Sequence, residues 1–256
     1  MLLALFIVTA QRAACATLSQ PQDVATPAPS KYHPFQCEHA SLQGAASGGD
    51  LYNEFANDGE ERNGSYRADA AITCGAFSTK LEARESRFQT ENAGPGSQTL
   101  FCTLDGGFAK TPYFTAAEST VDLRVERSVG RQAFNVGVSY LTTSTNYGYP
   151  HLRGLGFGFE KLSPSRPGLG PYGSLFYFPA ATGEYRVTEV ASPDFGHTIH
   201  SSFSIVLADI GVVWQPRASR SYLYAGYDDE VRTPIGGPLC MLCIRSSPYA
   251  GMGLRF

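Results

Sequence analysis

Residues 154–160 read Gly-Leu-Gly-Phe-Gly-Phe-Glu. Side chains of an extended strand point alternately to opposite sides. Leu155, Phe157 and Phe159 therefore share one face, and Gly154, Gly156, Gly158 and Glu160 share the other. The same period recurs along the chain. Phe134, Val136, Val138 and Tyr140 alternate with Asn135, Gly137 and Ser139, and Val121, Leu123 and Val125 alternate with Asp122, Arg124 and Glu126. Phe77, Thr79, Leu81 and Ala83 alternate with Ser78, Lys80, Glu82 and Arg84. A soluble sandwich also alternates, but its polar face meets water and is seldom so rich in glycine. A face of glycines and isolated charges suits a narrow interior, and the apolar face suits lipid.

The composition agrees. The 256 residues hold 27 Gly, 14 Tyr and 16 Phe but one Trp, and only 17% are charged. Many glycines and aromatics with few charges fit a β-rich chain. The net charge of −3 and the lack of a Lys/Arg cluster exclude an electrostatic case for nucleic acid. Residues 2–10 form an apolar run followed by Ala14-Cys15-Ala16, a small-x-small cleavage pattern, so 1–16 read as a signal peptide for export. No later stretch reaches the ~20 apolar residues of a membrane helix, so contact with a membrane has to come through strands.

Residues 17–65 are rich in Ala, Ser, Pro, Gly, Asn and Asp and read as a flexible N-terminal segment on the periplasmic side. Counted back from the C-terminus, strands fall near 246–256, 219–229, 200–214, 169–188, 150–161, 132–143, 118–127 and 66–89. That is eight strands, joined alternately by short links (129–131, 163–168, 216–218) and longer ones (90–117, 144–149, 190–199, 230–245). Outer-membrane barrels have short inner turns, longer outer loops and both ends inside. Pro179 within 169–188 requires a bulge. The expectation is an all-β, closed, antiparallel up-and-down transmembrane barrel of eight strands over 66–256.

The chain ends with Ala250, Met252, Leu254 and Phe256 at alternate positions. This resembles the C-terminal signature by which the bacterial barrel-assembly machinery recognises its clients. With the signal peptide and eight strands, the chain resembles the small barrels of the outer-membrane protein A and X group. The resemblance is one of pattern over residues 66–256. It implies a Gram-negative outer-membrane location, outer-membrane lipid and the assembly machinery as partners, no cofactor and a structural, non-enzymatic role. Loops 90–117 and 230–245 would then face outward, available to an extracellular ligand.

The inward face collects Lys80, Glu82, Arg84, Asp122, Arg124, Glu126, Glu160, Arg220 and Arg255. An Arg or Lys facing lipid at mid-membrane costs ~2–4 kcal/mol. These charges are therefore expected inside, paired with one another. A salt-bridged plug is the expected outcome. A gated polar path is its rival, although eight strands leave an interior barely wider than its side chains.

His200 and Ser202 lie two apart on one strand face. His-x-Ser on a barrel strand is similar to part of the site of outer-membrane lipid A deacylases. A hydrolase would need a carboxylate to orient the base, and Asp209, Glu189 and Asp194 are candidates. The bland reading is a polar strand start near the rim. A third reading is a soluble secreted barrel around a small apolar ligand, with Phe157 and Phe159 turned inward. Cys240 and Cys243 have CxxC spacing, but no second pair completes a metal site. A disulfide from Cys102 to one of them is expected, and Cys37 with Cys74 is a further pairing. Tyr147, Tyr149, Tyr172, Tyr177, Tyr222, Tyr224 and Tyr227 are candidates for an interfacial belt or for packing.

Overall fold

The computed structural model describes residues 37–48, 52–53, 64–89, 98–102, 108–112, 115–129, 134–146, 151–161, 167–186, 195–235 and 243–256. The strands in chain order are β1 (Cys37–Ser47), β2 (Tyr52–Asn53), β3 (Gly64–Cys74), β4 (Phe77–Gln89), β5 (Gln98–Cys102), β6 (Phe108–Pro112) and β7 (Thr115–Ser128). They continue as β8 (Phe134–Thr145), β9 (Arg153–Lys161), β10 (Gly168–Arg186), β11 (Thr198–Gln215), β12 (Ser221–Pro234) and β13 (Cys243–Arg255). Each long strand pairs antiparallel with the next, and β1 pairs antiparallel with β13, from Ser41↔Arg255 to Ala46↔Ala250. The sheet thus closes into an up-and-down barrel. β5 and β6 form a separate two-stranded hairpin, and β2 adds a short pairing to β13.

The barrel has ten staves, β1, β3, β4 and β7 to β13, where eight were expected. Two readings account for the difference. The run 66–89 is two strands, folded back at Gly75-Ala76, where Gly75 has φ +60° and Cys74 pairs with Phe77. Only glycine takes that conformation without a Cβ penalty. The other extra stave is β1, which lies in the segment read as flexible, so the barrel begins at Cys37 and not at 66. Its sequence, Cys-Glu-His-Ala-Ser-Leu-Gln-Gly-Ala-Ala-Ser, sets Ala40, Leu42, Gly44 and Ala46 against Ser41, Gln43, Ala45 and Ser47, an alternation made faint by small residues with Leu42 as its one large apolar side chain. The number remains even, so β1 begins and β13 finishes at the same end of the barrel. The expected loop 230–245 narrows to 235–242, because β12 runs to Pro234 and β13 begins at Cys243.

β10 remains one strand. Its register shifts between Phe178 and Ala181 against β11, around Pro179. The extra residue inverts the parity: Phe176 and Phe178 point inward before it, Ala181 after it. Thr182, Glu184 and Arg186 consequently point outward and are exposed.

The apolar residues point away from the axis. Leu155 is 68% exposed and Phe157 57%, while Arg124 and Glu126 are 3% and 2% exposed. Phe157 meets Tyr177 edge-on across the outer face. Inside, a second kind of packing occurs. Leu141, Leu152, Phe176, Phe178, Ala181, Phe203, Ile205 and Leu207 form one buried apolar cluster on β8 to β11 and the β8–β9 link. The glycines of β9 make this possible. A Cβ on Gly156 would lie 2.5 Å from the Phe178 ring, and one on Gly158 would lie 2.1 Å from the Leu175 carbonyl and 2.8 Å from the Phe176 ring.

Candidate functional site

The interior charges follow a rule that begins in the sequence. Along each strand the inward positions alternate in sign: Lys80, Glu82, Arg84 on β4; Asp122, Arg124, Glu126 on β7; Arg67, Asp69 on β3; Glu230, Arg232 on β12. Register then sets like charges directly opposite, with Lys80 facing Arg124 and Glu82 facing Asp122. Such pairs repel. The partners are found along the strand and across the lumen instead. Arg124 Nε donates to Asp122 at 2.7 Å, and its Nη atoms lie 3.7 Å from Glu82 and 3.5 Å from Glu160. Lys80 Nζ donates to Glu160 of β9 at 3.1 Å. Arg84 reaches Asp228 of β12 at 2.7 Å and Glu82 at 3.2 Å. Arg67 reaches Asp209 of β11 at 2.7 Å.

These cross-lumen bonds tie facing walls together. Toward the end that bears the longer connections, Arg232 holds Glu118 and Glu230, and Arg245 donates to Glu230 and to Ser86. Toward the other end, Tyr222 donates to Gln43, whose Nε2 donates to Asp69. Tyr249 donates to Asp209 and bonds Tyr172, with the Arg67 guanidinium over its ring. Arg255 donates to Gln215 at 2.5 Å and lies over the Tyr222 ring. Glu126 is held by the amide of Asn135.

Arg220 departs from expectation. It is exposed in the turn before β12, because the strand begins one residue later, and its carbonyl accepts from Arg255 N. Tyr172, Tyr222 and Tyr224 are interior packing rather than a belt, and Tyr147 and Tyr149 lie outside the described residues. Sequence reasoning passed over Arg67, Asp69, Glu118, Asp228, Glu230, Arg232 and Arg245, and it offered Asp209 as a partner for His200, whereas Asp209 faces the interior and binds Arg67 and Tyr249. The i, i+2 spacing of opposite charges at 67–69 and 230–232 was the available signal.

His200 and Ser202 share the outer face of β11. Their carboxylate partner is none of the expected three. Glu184 of β10 pairs in register with His200, and Glu184 Oε1 lies 3.2 Å from His200 Nδ1, both side chains being at least 70% exposed. Thr182 faces Ser202 in the same ladder. Glu184 points outward only because of the Pro179 bulge. Cys37 and Cys74 form a disulfide that ties the start of β1 to the end of β3. The side chains of Cys102 and Cys243, and Cys240 as a whole, lie outside the described residues, as does the segment 1–36 with its expected signal peptide. Met252, Leu254 and Phe256 are exposed on the outside of β13, and Phe256 N donates to Ala40 O across the closing seam.

No protein-family model matches this sequence, and no curated protein does. Among solved structures it is similar to OmpT, an outer membrane protein of Vibrio cholerae folded in vitro in its trimer form, at 13% identity and a TM-score of 0.29. It is likewise similar to outer-membrane expressed OmpT of Vibrio cholerae, at 12% identity and a TM-score of 0.30. In each case the match covers 76% of this chain and 56% of the other, so the chain spans little more than half the length of those proteins.

Proposed function

We propose that this chain is an exported outer-membrane β-barrel with a closed interior and a non-enzymatic role. It anchors in the membrane, contributes to the envelope and presents its longer connections, in 48–63, 90–114 and 235–242, on the outer side. One observation carries the reading: Leu155, Phe157 and Val136 are exposed while Arg124, Glu126 and Lys80 are buried. In water that arrangement would expose the apolar surface and enclose the ions. In a bilayer it is the stable one. The soluble-barrel reading needs Phe157 and Phe159 inside, and both are outside. The test is extraction and migration. The protein should need detergent and show a heat-dependent shift on a gel, and recovery as a monomer in plain buffer would end the proposal.

A second reading has its own observation. On the outer face Glu184 Oε1 lies 3.2 Å from His200 Nδ1, and Ser202 sits two residues along the same face of β11. In a hydrolase the carboxylate would orient the imidazole through Nδ1, leaving Nε2 to activate the hydroxyl. Its substrate would be an acyl lipid of the leaflet beside it. Ser202→Ala should then abolish acyl release from envelope lipid while the barrel folds normally. Envelope lipid unchanged by that substitution excludes the reading.

A further inference from the structure

One cross-strand row on the outside of the barrel runs through Thr142, Arg153, Thr182 and Ser202, on β8, β9, β10 and β11. All four bear polar side chains on the outer face, and Arg153 and Thr182 are exposed. With strands about 4.8 Å apart, the row spans roughly 14 Å. Two residues nearer the middle of the barrel, β8 and β9 present Tyr140 and Leu155, and beyond them Val138 and Phe157. Polarity therefore changes within one step of the pleat. In the opposite direction lie Glu184 with His200, and then Arg186 facing Thr198. Followed onto β7 and β4, the same row continues as Val121 and Ala83, which are apolar.

Among the described residues, Arg153 and Arg186 have neither an ion pair nor a hydrogen bond from the side chain. Glu85 and Arg87, exposed on the outside of β4, neutralise each other at 2.7 Å. At the end of β9 and β10 that bears this row, the outer face thus carries two cations without an ion pair, Arg153 and Arg186, with the exposed Glu184–His200 contact beside them, set among hydroxyls and directly above an apolar band.

We propose that this shelf binds the phosphate-bearing headgroup of a membrane lipid, with Arg153 as the phosphate ligand. A guanidinium pairs with phosphate through two parallel N–H bonds. Thr142, Thr182 and Ser202 supply hydroxyl donors on either side. Arg186, four residues beyond Thr182 and so about 13 Å farther along β10, reaches a second anionic group of the same or a neighbouring headgroup. The ligand is a lipid rather than free phosphate because the shelf is continuous with Leu155 and Tyr140, against which its hydrocarbon would lie. This binding stands on its own and does not require Ser202 to react.

The full-length protein, reconstituted in nanodiscs of phosphatidylcholine with one-fifth phosphatidylglycerol, tests it. Lipid retained on the protein is read by native mass spectrometry, with folding checked by gel migration. Phosphatidylglycerol should be enriched over phosphatidylcholine, and Arg153→Gln should cut the enrichment roughly fivefold, as one basic group near an anionic surface contributes. Arg153→Lys should retain part of it, and Arg87→Gln on β4 should leave it unchanged. Inorganic phosphate at millimolar concentration should not compete. The proposal is overturned if Arg153→Gln has no effect, if Arg87→Gln has the same effect, or if inorganic phosphate displaces the lipid.

Discussion

The interior of this barrel is filled in two ways. The walls formed by β3, β4, β7 and β12 carry ions, cross-linked by Arg67–Asp209, Lys80–Glu160, Arg84–Asp228 and Arg232–Glu118. The β8 to β11 side carries Leu141, Phe176, Phe178, Phe203, Ile205 and Leu207, packed like the core of a soluble protein. They meet at Arg124, whose guanidinium lies 4.3 Å from the centre of the Phe176 ring while its nitrogens hold three carboxylates. The difference teaches how a narrow lumen can be closed. An apolar cluster excludes water without directional bonds. An ionic wall closes only if every charge finds a partner, because a stranded charge in a dry interior costs far more than a lost contact.

This contrast predicts its own breaking point. Arg124→Ala should be the most damaging single change in the lumen. Removing one partner of a buried ion pair costs roughly 3–5 kcal/mol. The upper end is expected here, since Asp122, Glu82 and Glu160 all lose it. Equilibrium unfolding in urea, in lipid or detergent, measures the loss. A loss below about 1 kcal/mol would mean that water already fills the ionic side and the two regions are not alternative ways of sealing the barrel.

The apolar side should break more gently. Leu141→Ala deletes a fully buried side chain and should cost about 3 kcal/mol, transfer and cavity terms together. The same unfolding measurement applies. A loss near zero would show that the cluster is loosely packed and closes nothing.

Most of this organisation was legible, and the failures have physical causes. Parity alone placed Leu155, Phe157 and Val136 outside and Lys80, Glu82 and Arg124 inside, since a strand has only two faces. The glycines of β9, set on one face with Glu160, fit a narrow interior but do not say what fills the space they leave. Gly137 faces Glu126, but Gly156 and Gly158 accommodate Phe178 and Phe176, whose inward turn on another strand no local pattern reveals. β1 was missed because its two faces are lined mostly by small residues, Ala40, Gly44 and Ala46 against Ser41, Ala45 and Ser47, and the β3–β4 turn because an alternating run continues through it. The Glu184–His200 contact needed two things beyond periodicity: the offset between β10 and β11, and the single-residue shift at Pro179 that turns Glu184 outward. A bulge can be expected at a proline, but not on which side of it each residue will emerge.

The finest test exchanges one kind of filling for the other. Arg84 Nη1 and Asp228 bond across the lumen at 2.7 Å, and Arg84 also touches Glu82. Arg84→Met alone leaves Asp228 buried without that ion pair and should cost about 3 kcal/mol. Adding Asp228→Leu removes the stranded charge and supplies apolar volume. Glu82 keeps Arg67, Arg124 and Lys80 within 3.8 Å, so it stays neutralised without Arg84. The double variant should therefore return to within about 1 kcal/mol of the parent, as replacing both ends of a buried pair by hydrophobic groups commonly does. If the two losses instead add, the ion pair contributes something that apolar packing cannot replace at that position. The ionic wall would then be a requirement of this barrel, not one of two interchangeable ways to fill it.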